Sequence, residues 1–401
     1  MRRIIVVGAG PVGTVAALAC ARSGHAVTLL EADERINDSP RASTTQPPTL
    51  EILARLGLID EYLAQGLVAR NFQFWDRARL RLIAEFDFER LRSETAYPFV
   101  VQTEQHKLAL MGIARLRAMA NATVCMATRV TGLEQHADGV TVQTEQGGLR
   151  ADYVIGCDGG RSTVRKALGI EFEGFTWPER FLVITTKFDF AAALGCCYRS
   201  YMADPLEWTN LFKVAGDDLK GRWRAVYNTR EDESDAEALS DAAVRARLGR
   251  IYVPDAERDY LHLNLYKVHQ RVAQQFRRGR VFLCGDAAHV NNPIGGLGLN
   301  SGIHEAWDLA QLLSQPGADL DAYERRRRPL NIEYVQEQTI ANKRRLEERD
   351  PATRERHFDE LRRTADDPVK HKAFLMRASL LESVRRIKNI GDGPKGQSPI
   401  S

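Results

Sequence analysis

The sequence predicts an α/β fold (α+β overall): a frame of parallel strands and helices, an inserted and mostly antiparallel sheet, and C-terminal helices. Three observations carry this prediction. A β-branched run, Ile4–Val7, opens onto a Gly-rich turn and a helical stretch, and a second apolar strand follows at Ala26–Leu30. From about Phe181 to Lys267, short strand-like segments separated by turn residues replace that alternation. From about Tyr323 to Lys388 the pattern is helical and densely charged with mixed signs.

The elements follow in order. Gly8-Ala9-Gly10-Pro11-Val12-Gly13 makes the first turn, and Thr14–Ser23 is a helix stopped by Gly24. The second strand ends at Glu31. Pro47 and Pro48 precede a helix at Thr49–Leu56. Phe72–Phe88 reads as a hairpin and Leu108–Ala120 as a helix. Strands at Thr128–Glu134 and Val140–Thr144 flank the Asp138-Gly139 turn. A buried strand, Tyr153–Gly156, leads into Cys157-Asp158-Gly159-Gly160. Strands of the inserted sheet are predicted near Phe181–Phe188, Cys197–Met202, Trp208–Val214, Trp223–Thr229 and Leu261–Tyr266, with a helix over Asp235–Leu248. Val281–Cys284 returns as a core strand, followed by Gly285-Asp286, a Gly-rich loop and a helix at Ala306–Leu313. Arg325–Arg328 reads as part of a solvated helix face, and Gly391–Ser401 as a frayed end.

Composition excludes several classes. The chain has 401 residues, of which 44% are hydrophobic, enough for a substantial core. Lys plus Arg is 56 and Asp plus Glu is 53, a net +3, which argues against a nucleic-acid partner. The six cysteines form no CxxC pair, and Cys20, Cys125, Cys157 and Cys284 lie in apolar runs, while Cys196 and Cys197 are adjacent. They read as buried thiols of a reducing, cytoplasmic compartment. Met1-Arg2-Arg3 before an apolar run is compatible with a secretory signal. The regularly spaced glycines and Arg22 favour a strand, turn and helix instead. No membrane partner is expected, because no segment is apolar enough to span a bilayer. The nine histidines are scattered without a HExxH pattern, so no metal site is expected.

Gly8-x-Gly10-x-x-Gly13 between a strand and a helix, with Glu31 closing the next strand, is a dinucleotide-binding pattern. One glycine permits the tight turn, one lets a pyrophosphate approach the backbone, and one lets helix and strand pack closely. The helix N-terminus offers free N–H groups and the positive end of its dipole. Glu31 is spaced to accept hydrogen bonds from a ribose diol. Gly8, Gly10, Pro11, Val12, Gly13, Glu31 and Ala32 are therefore the expected cofactor contacts of this unit. The pattern alone does not choose NAD over FAD.

Two further segments do. Asp152–Arg165 contains Gly156-Cys157-Asp158-Gly159-Gly160-Arg161-Ser162, and Gly279–Asn300 contains Gly285-Asp286-Ala287-Ala288-His289 and Pro293-Ile294-Gly295-Gly296-Leu297-Gly298-Leu299-Asn300. In this order and spacing the three motifs resemble those of the single-component flavoprotein aromatic hydroxylases, the p-hydroxybenzoate hydroxylase and phenol hydroxylase group. The resemblance spans about residues 1–340 and is greatest to the compact nitrophenol-hydroxylase-like form.

The resemblance implies a Rossmann-like FAD-binding domain formed by residues 1–72, 98–177 and 268–340. It implies a substrate-binding sheet domain formed by 73–97 and 178–267, and a helical tail from 341 to 401. Gly285 and Asp286 would hold the ribityl chain of FAD. Gly295, Gly296, Gly298, Leu299 and Asn300 would lie beside the flavin pyrimidine ring, and Pro293 at its reacting edge. Asp158 would belong to a fingerprint shared by FAD and NAD(P)H, Arg41 and Gln102 would contact FAD, and Val130 would face the adenine. The segment after the Gly-rich loop departs from the usual pattern in having Glu305 for an aspartate, a change expected to matter little.

The implied reaction is hydroxylation of a small phenolic or heteroaromatic substrate through a flavin C4a-hydroperoxide, with FAD bound, NADH or NADPH transient, and O₂ consumed. Pro293, Gly295 and Gly296 form the expected catalytic loop. Strand alternation pairs Trp208 with Phe212 and Trp223 with Tyr227, and sets Tyr198 and Tyr201 on opposite faces. These six are the candidate substrate residues. Tyr198, Tyr201, His269 and His289 stay open as the deprotonating group, although His289 is more often a packing residue in such a segment. A halogenase or reductase on the same fold and a non-catalytic FAD-binding regulator are the alternatives, and the oligomeric state is left as monomer or homodimer.

Overall fold

β1 (Arg3–Val7), α1 (Pro11–Arg22) and β2 (Ala26–Leu30) form the first unit. The computed structural model describes residues 1–39, 43–251 and 260–391. Arg41, expected at the cofactor, lies outside the described residues, as does the predicted frayed end beyond Gly391.

β1 is apolar and buried from Ile4 to Val7 because it is central. It pairs in parallel with β2 on one side and with Tyr153–Gly156 on the other. The six-stranded sheet runs Arg277–Arg278, Val281–Leu283, Tyr153–Gly156, β1, β2, Ala122–Cys125. Only its short Arg277–Arg278 edge is antiparallel. α1 buries Val15 through Ala21 and helix Gln105–Arg117 buries Leu108, Met111 and Ile113. The two helices cross closely: a Cβ on Gly112 would lie 2.2 Å from Thr14 Cγ2.

The second large sheet has eight strands, in the order His289–Val290, His262–Ala273, Phe172–Thr186, Arg222–Asn228, Thr209–Val214, Arg199–Ala203, Asn71–Asp76, Arg81–Asp87. One pair is parallel, Arg199–Ala203 with Asn71–Asp76. Two strands are much longer than predicted. Phe172–Thr186 starts nine positions before Phe181, and the strand predicted at Leu261–Tyr266 runs on to Ala273. Their outer halves pair with each other from Phe172↔Ala273. The ladder shifts register between Thr176 and Arg180, around Pro178, and Gly174 has φ +134°. That irregularity breaks the period-2 pattern and hides the strand in the sequence.

The helix predicted at Asp235–Leu248 is two helices. Ser234 and Glu237 form a capping box on Asp235–Ala238, and Ser240 caps Asp241–Gly249. The helix predicted from Ala306 begins at Gly298, directly on the Gly-rich loop. Two three-stranded sheets complete the strands. One joins Val130–Gln135, Val140–Thr144 and Gly147–Ala151, and the other joins Thr44–Thr45, Leu67–Ala69 and Val100–Gln102.

The tail is helical through Leu381–Gly391, with a π-helical turn at Ile332–Gln336 after Pro329. It is not simply solvated. Arg327 is buried and its Nε donates to Asp308 at 2.9 Å. Phe358, Leu361 and Leu375 share a core with Phe72, Phe86 and Ile294. No helix among the described residues is long and apolar enough to cross a membrane. No disulfide joins the six cysteines: Cys20, Cys196 and Cys284 are buried, and Cys125, Cys157 and Cys197 are half-buried.

Candidate functional site

The first turn is built for glycine. Gly8 has φ +97°, and a Cβ there would lie 2.5 Å from the Cys157 carbonyl oxygen. A Cβ on Gly13 would lie 1.9 Å from the Gly8 oxygen, whereas one on Gly10 would meet nothing within 4 Å. Two of the glycines thus close the turn against its neighbours, and the third opens toward free space. α1 begins on Gly10 with Pro11 in its first turn and no side-chain cap, leaving its early N–H groups available. Glu31 is fixed at the rim. Its Oε2 accepts from Ala9 N at 2.7 Å and its Oε1 from Asp33 N at 3.1 Å, while Ala32 follows in the bend. Thr128 N donates to the Glu31 carbonyl at 2.7 Å, which brings Val130, two residues on, close to the end of β2.

Asp158 is engaged as a helix cap. Its carboxylate accepts from Ser162 Oγ at 2.5 Å, Thr163 N at 2.7 Å and Val164 N at 3.1 Å. Arg165 is buried. It donates to the Ala287 and Gly160 carbonyls at 2.8 Å and stands 3.8 Å over the Phe172 ring. This arginine ties the Asp158-Gly159 turn to the Asp286 turn.

Asp286 is exposed on the 3₁₀ turn Gly285–Ala287. Glu305 holds that turn from beneath: its Oε2 accepts from Gly285 N at 2.9 Å, and its Oε1 from Ser301 Oγ at 2.9 Å. His289 Nε2 bonds the same Oε1 at 2.8 Å, and both side chains are wholly buried. Burial pulls the imidazole toward the neutral form, but the Glu305 charge and hydrogen bond outweigh it, so the His289 pKa is raised. His269 is exposed, with Nδ1 2.8 Å from Thr176 Oγ1. Its pKa is lowered by partial burial, with Arg271, Lys267 and Arg161 adding to the effect.

The Gly-rich loop docks on Thr44 and Gln46. Gly295 and Gly296 have φ +114° and +64°, and a Cβ on Gly296 would lie 2.9 Å from Thr44 Cβ. Asn300 Oδ1 accepts from Gln46 N at 2.8 Å, and its Nδ2 donates to the Thr44 and Gly296 carbonyls at 2.9 and 2.7 Å. Gln102, also buried, accepts from Thr44 Oγ1 at 2.6 Å and donates to the Tyr198 carbonyl at 3.3 Å. The helix Gly298–Ser314 starts without a side-chain cap, Leu299 packing half-buried in its first turn. A Cβ on Gly302 would lie 2.8 Å from both Gly285 Cα and Val12 Cγ2. Two uncapped helix N-termini and the Asp286 turn therefore converge.

Beside this loop lies a narrow, partly open cleft with a cavity volume of about 20 Å³. Pro293 precedes it, and Ile294 and Gly295 form one wall. Phe72, Phe74, Arg199 and Tyr201 come from the eight-stranded sheet, and Gln338, Asn342, Leu346, Phe374 and Ala378 from the helical tail. Tyr201 stacks on Phe74 at 5.4 Å, and Phe212 meets its edge at 5.9 Å. Burial raises the Tyr201 pKa, against the opposing charge and hydrogen bond of Arg199. Trp208 belongs to the same side of the sheet but is wholly buried against Phe181. Trp223 and Tyr227 pack on the opposite face with Phe190 and Trp75, away from the cleft. Tyr198 is half-buried with its ring edge toward Trp223. Sequence reading missed Arg199 and the three phenylalanines. The signal for Arg199 was present: it alternates with Tyr201 and so shares its face.

The arrangement fits a dinucleotide with a flat ring at one end. Glycines stand where a Cβ is blocked or where space is open, two helix N-termini are uncapped, and an aromatic cleft adjoins the loop. Among the described residues no cluster of His, Cys, Asp or Glu is arranged to hold a metal ion.

Comparison with known proteins agrees. The FAD binding domain family matches residues 1–338. Para-nitrophenol 4-monooxygenase of Pseudomonas sp. (strain WBC-3) is 35% identical over 96% of this chain and 97% of its own. The 6-hydroxy-3-succinoylpyridine 3-monooxygenase of Pseudomonas putida (strain DSM 28022 / S16) is 34% identical over 87% of this chain and 90% of its own. The crystal structure of p-nitrophenol 4-monooxygenase from Pseudomonas putida DLL-E4 superposes with a TM-score of 0.87 at 32% identity, covering 96% of this chain and 99% of that one.

Proposed function

The chain belongs to the FAD-dependent aromatic hydroxylase family, and from that premise we propose that it hydroxylates a small phenolic or heteroaromatic ring, consuming O₂ and NADH or NADPH. One observation carries the reading: the aromatic cleft shares Ile294 and Gly295 with the Gly-rich loop, so a ring bound there adjoins the loop expected to hold the flavin.

Bound FAD supplies the redox chemistry, taking electrons from the nicotinamide and delivering one oxygen atom of O₂ to the ring. The protein's share is holding and shielding. In this reading the uncapped start of α1 takes the pyrophosphate, Glu31 the ribose and Asp286 the ribityl chain. The N-terminus of Gly298–Ser314 stabilises negative charge on the pyrimidine edge of the isoalloxazine. Glu305 and His289 keep the Asp286 turn in place. The phenylalanine-rich sheet and the tail helices exclude water, which prevents loss of reducing power as peroxide. We read the six-stranded sheet and its helices as the cofactor domain, and the eight-stranded sheet as the substrate domain with its cleft closed by the tail.

The test is a panel of phenols and hydroxypyridines offered to the purified protein with NADH or NADPH. The protein should be yellow, and a productive ring should accelerate nicotinamide oxidation with near-stoichiometric hydroxylated product by mass. A protein that does not retain FAD, or oxidises nicotinamide without ever forming a hydroxylated product, would overturn the reading.

A further inference from the structure

Pro293 has no N–H, and Gly295 and Gly296 have φ +114° and +64°, so the loop beside the cleft takes its shape from side chains that reach it. One of these is Gln270, 3% exposed, on the strand His262–Ala273. Its Oε1 accepts from Asn292 N at 3.1 Å and Asn292 Nδ2 at 3.2 Å, with Trp177 Nε1 at 3.5 Å. Asn292 is wholly buried, and its Oδ1 accepts from Ile294 N at 3.1 Å, closing a short turn across Pro293. A backbone N–H only donates, so the Asn292 contact fixes which end of the Gln270 amide is oxygen. The nitrogen therefore faces the tail. Nε2 donates to Gln336 Oε1 at 2.6 Å and to Thr339 Oγ1 at 3.1 Å, with the Gln336 carbonyl at 3.3 Å.

Gln336 ends the π-helical turn Ile332–Gln336, a feature that often marks functional sites. Its Nε2 donates to the Val290 carbonyl at 3.3 Å and to Asn331 Oδ1 at 3.4 Å. The helix that follows, Glu337–Leu346, supplies Gln338, Asn342 and Leu346 to the cleft, and Asn342 Nδ2 donates to the Ile294 carbonyl at 3.2 Å. One buried amide thus ties the loop and this helix to the same strand. We propose that Gln270 is a positioning residue for the reaction. It holds the Asn292–Gly295 loop and the Glu337–Leu346 helix at one spacing, and so sets how a bound ring lies against the flavin edge. Removing the amide leaves Asn292 N–H and Gln336 Oε1 without their buried partner, and loop and helix must shift to find others. A displacement of about 1 Å at the reacting atoms is enough to cost about a hundredfold in rate. This role rests on the proposed hydroxylation and adds a residue that does not itself line the cleft.

The test compares FAD-loaded wild type with four variants, using the ring that wild type hydroxylates in the panel above. Product per nicotinamide, hydrogen peroxide and the flavin difference spectrum on adding the ring are measured for each. Gln270→Met should keep FAD, change the shape of the difference spectrum and lower product per nicotinamide by about fivefold or more, the remainder appearing as peroxide. Gln270→Glu keeps an oxygen toward Asn292 and should recover part of the yield. Thr339→Val removes one acceptor of the tie without touching the loop, and should shift yield and spectrum in the same direction to a smaller extent, so the test stands even where Gln270→Met does not fold. Leu248→Ala, in the core with Trp223 and Tyr227 on the opposite face of the sheet, reports the effect of destabilisation alone and should keep the wild-type spectrum and yield. Wild-type yield and spectrum in both Gln270→Met and Thr339→Val would overturn the inference, as would a loss of yield that Leu248→Ala reproduces. Both results leave hydroxylation by wild type standing. A wild type that forms no product defeats the proposed function instead, and the positioning role, defined by that reaction, falls with it.

Discussion

Asp286 is exposed on the Gly285–Ala287 turn and its charge acts on His289, while the Asp158 carboxylate accepts from Ser162, Thr163 and Val164. The two aspartates can be tested separately. Asp286→Ala is expected to lose FAD by tenfold or more in a fluorescence titration; full FAD retention would count against its role. Asp158→Ala removes a helix cap worth about 1 kcal/mol and should lower the melting midpoint first. The His289–Glu305 pair gives a pH signature. Because the folded pKa of His289 is raised, its stabilising contribution is complete below the unfolded value of about 6.5 and is lost as pH rises through the folded value. Glu305→Gln, which keeps the shape but not the charge, should flatten the fall in melting midpoint above about pH 6.5. A variant as steep as wild type would show that the pair does not set that slope. Glu305 in place of the usual aspartate thus lies in a buried network that supports the Asp286 turn.

At the scale of the element, the start of α1 allows folding and FAD binding to be tested separately. Gly10 has φ −63° and open space where a Cβ would stand, so Gly10→Ala should fold and weaken FAD. At Gly13 the Cβ would fall 1.9 Å from the Gly8 oxygen, so Gly13→Ala should lose the fold or the turn itself. Melting curves of the two apoproteins distinguish these outcomes. The tail is pinned at Glu94, which meets Lys372 and Arg385 from two of its helices. Hydrogen bonds from these cations hold the Glu94 pKa down to about 2. Its stabilising contribution is present above the unfolded value of about 4.5 and is lost as pH falls toward 2. Glu94→Gln should speed hydrogen exchange in Pro368–Ala378 at neutral pH, and unchanged exchange would show that the aromatic contacts alone hold this helix.

For the whole molecule, the tail completes the cleft. Phe374 stacks on Phe86 at 4.4 Å and on Phe72 at 6.2 Å and lines the space beside Gly295. Phe374→Ala should leave FAD bound but admit water, diverting nicotinamide oxidation toward hydrogen peroxide, which a peroxide assay measures directly. Unaltered coupling would mean that the tail does not shield the reaction. The sequence by itself determined the dinucleotide-type turn and the family, because the glycine spacing is a local feature. Gly13 admits no Cβ because the Gly8 oxygen of the same turn stands there, whereas Gly8 is closed by Cys157, which the fold brings alongside. It also showed that an antiparallel sheet interrupts the frame. It did not show how far that sheet extends, since the bend at Gly174 and Pro178 breaks the alternation that marks a strand. Nor could it separate Tyr201, which lines the cleft, from Tyr227 on the opposite face. Arg199 is one arginine among many until Phe72, Gly295 and Phe374, distant in sequence, meet around it. Only the tertiary structure decided the aromatic cleft, because burial is a property of neighbours that the linear order does not place.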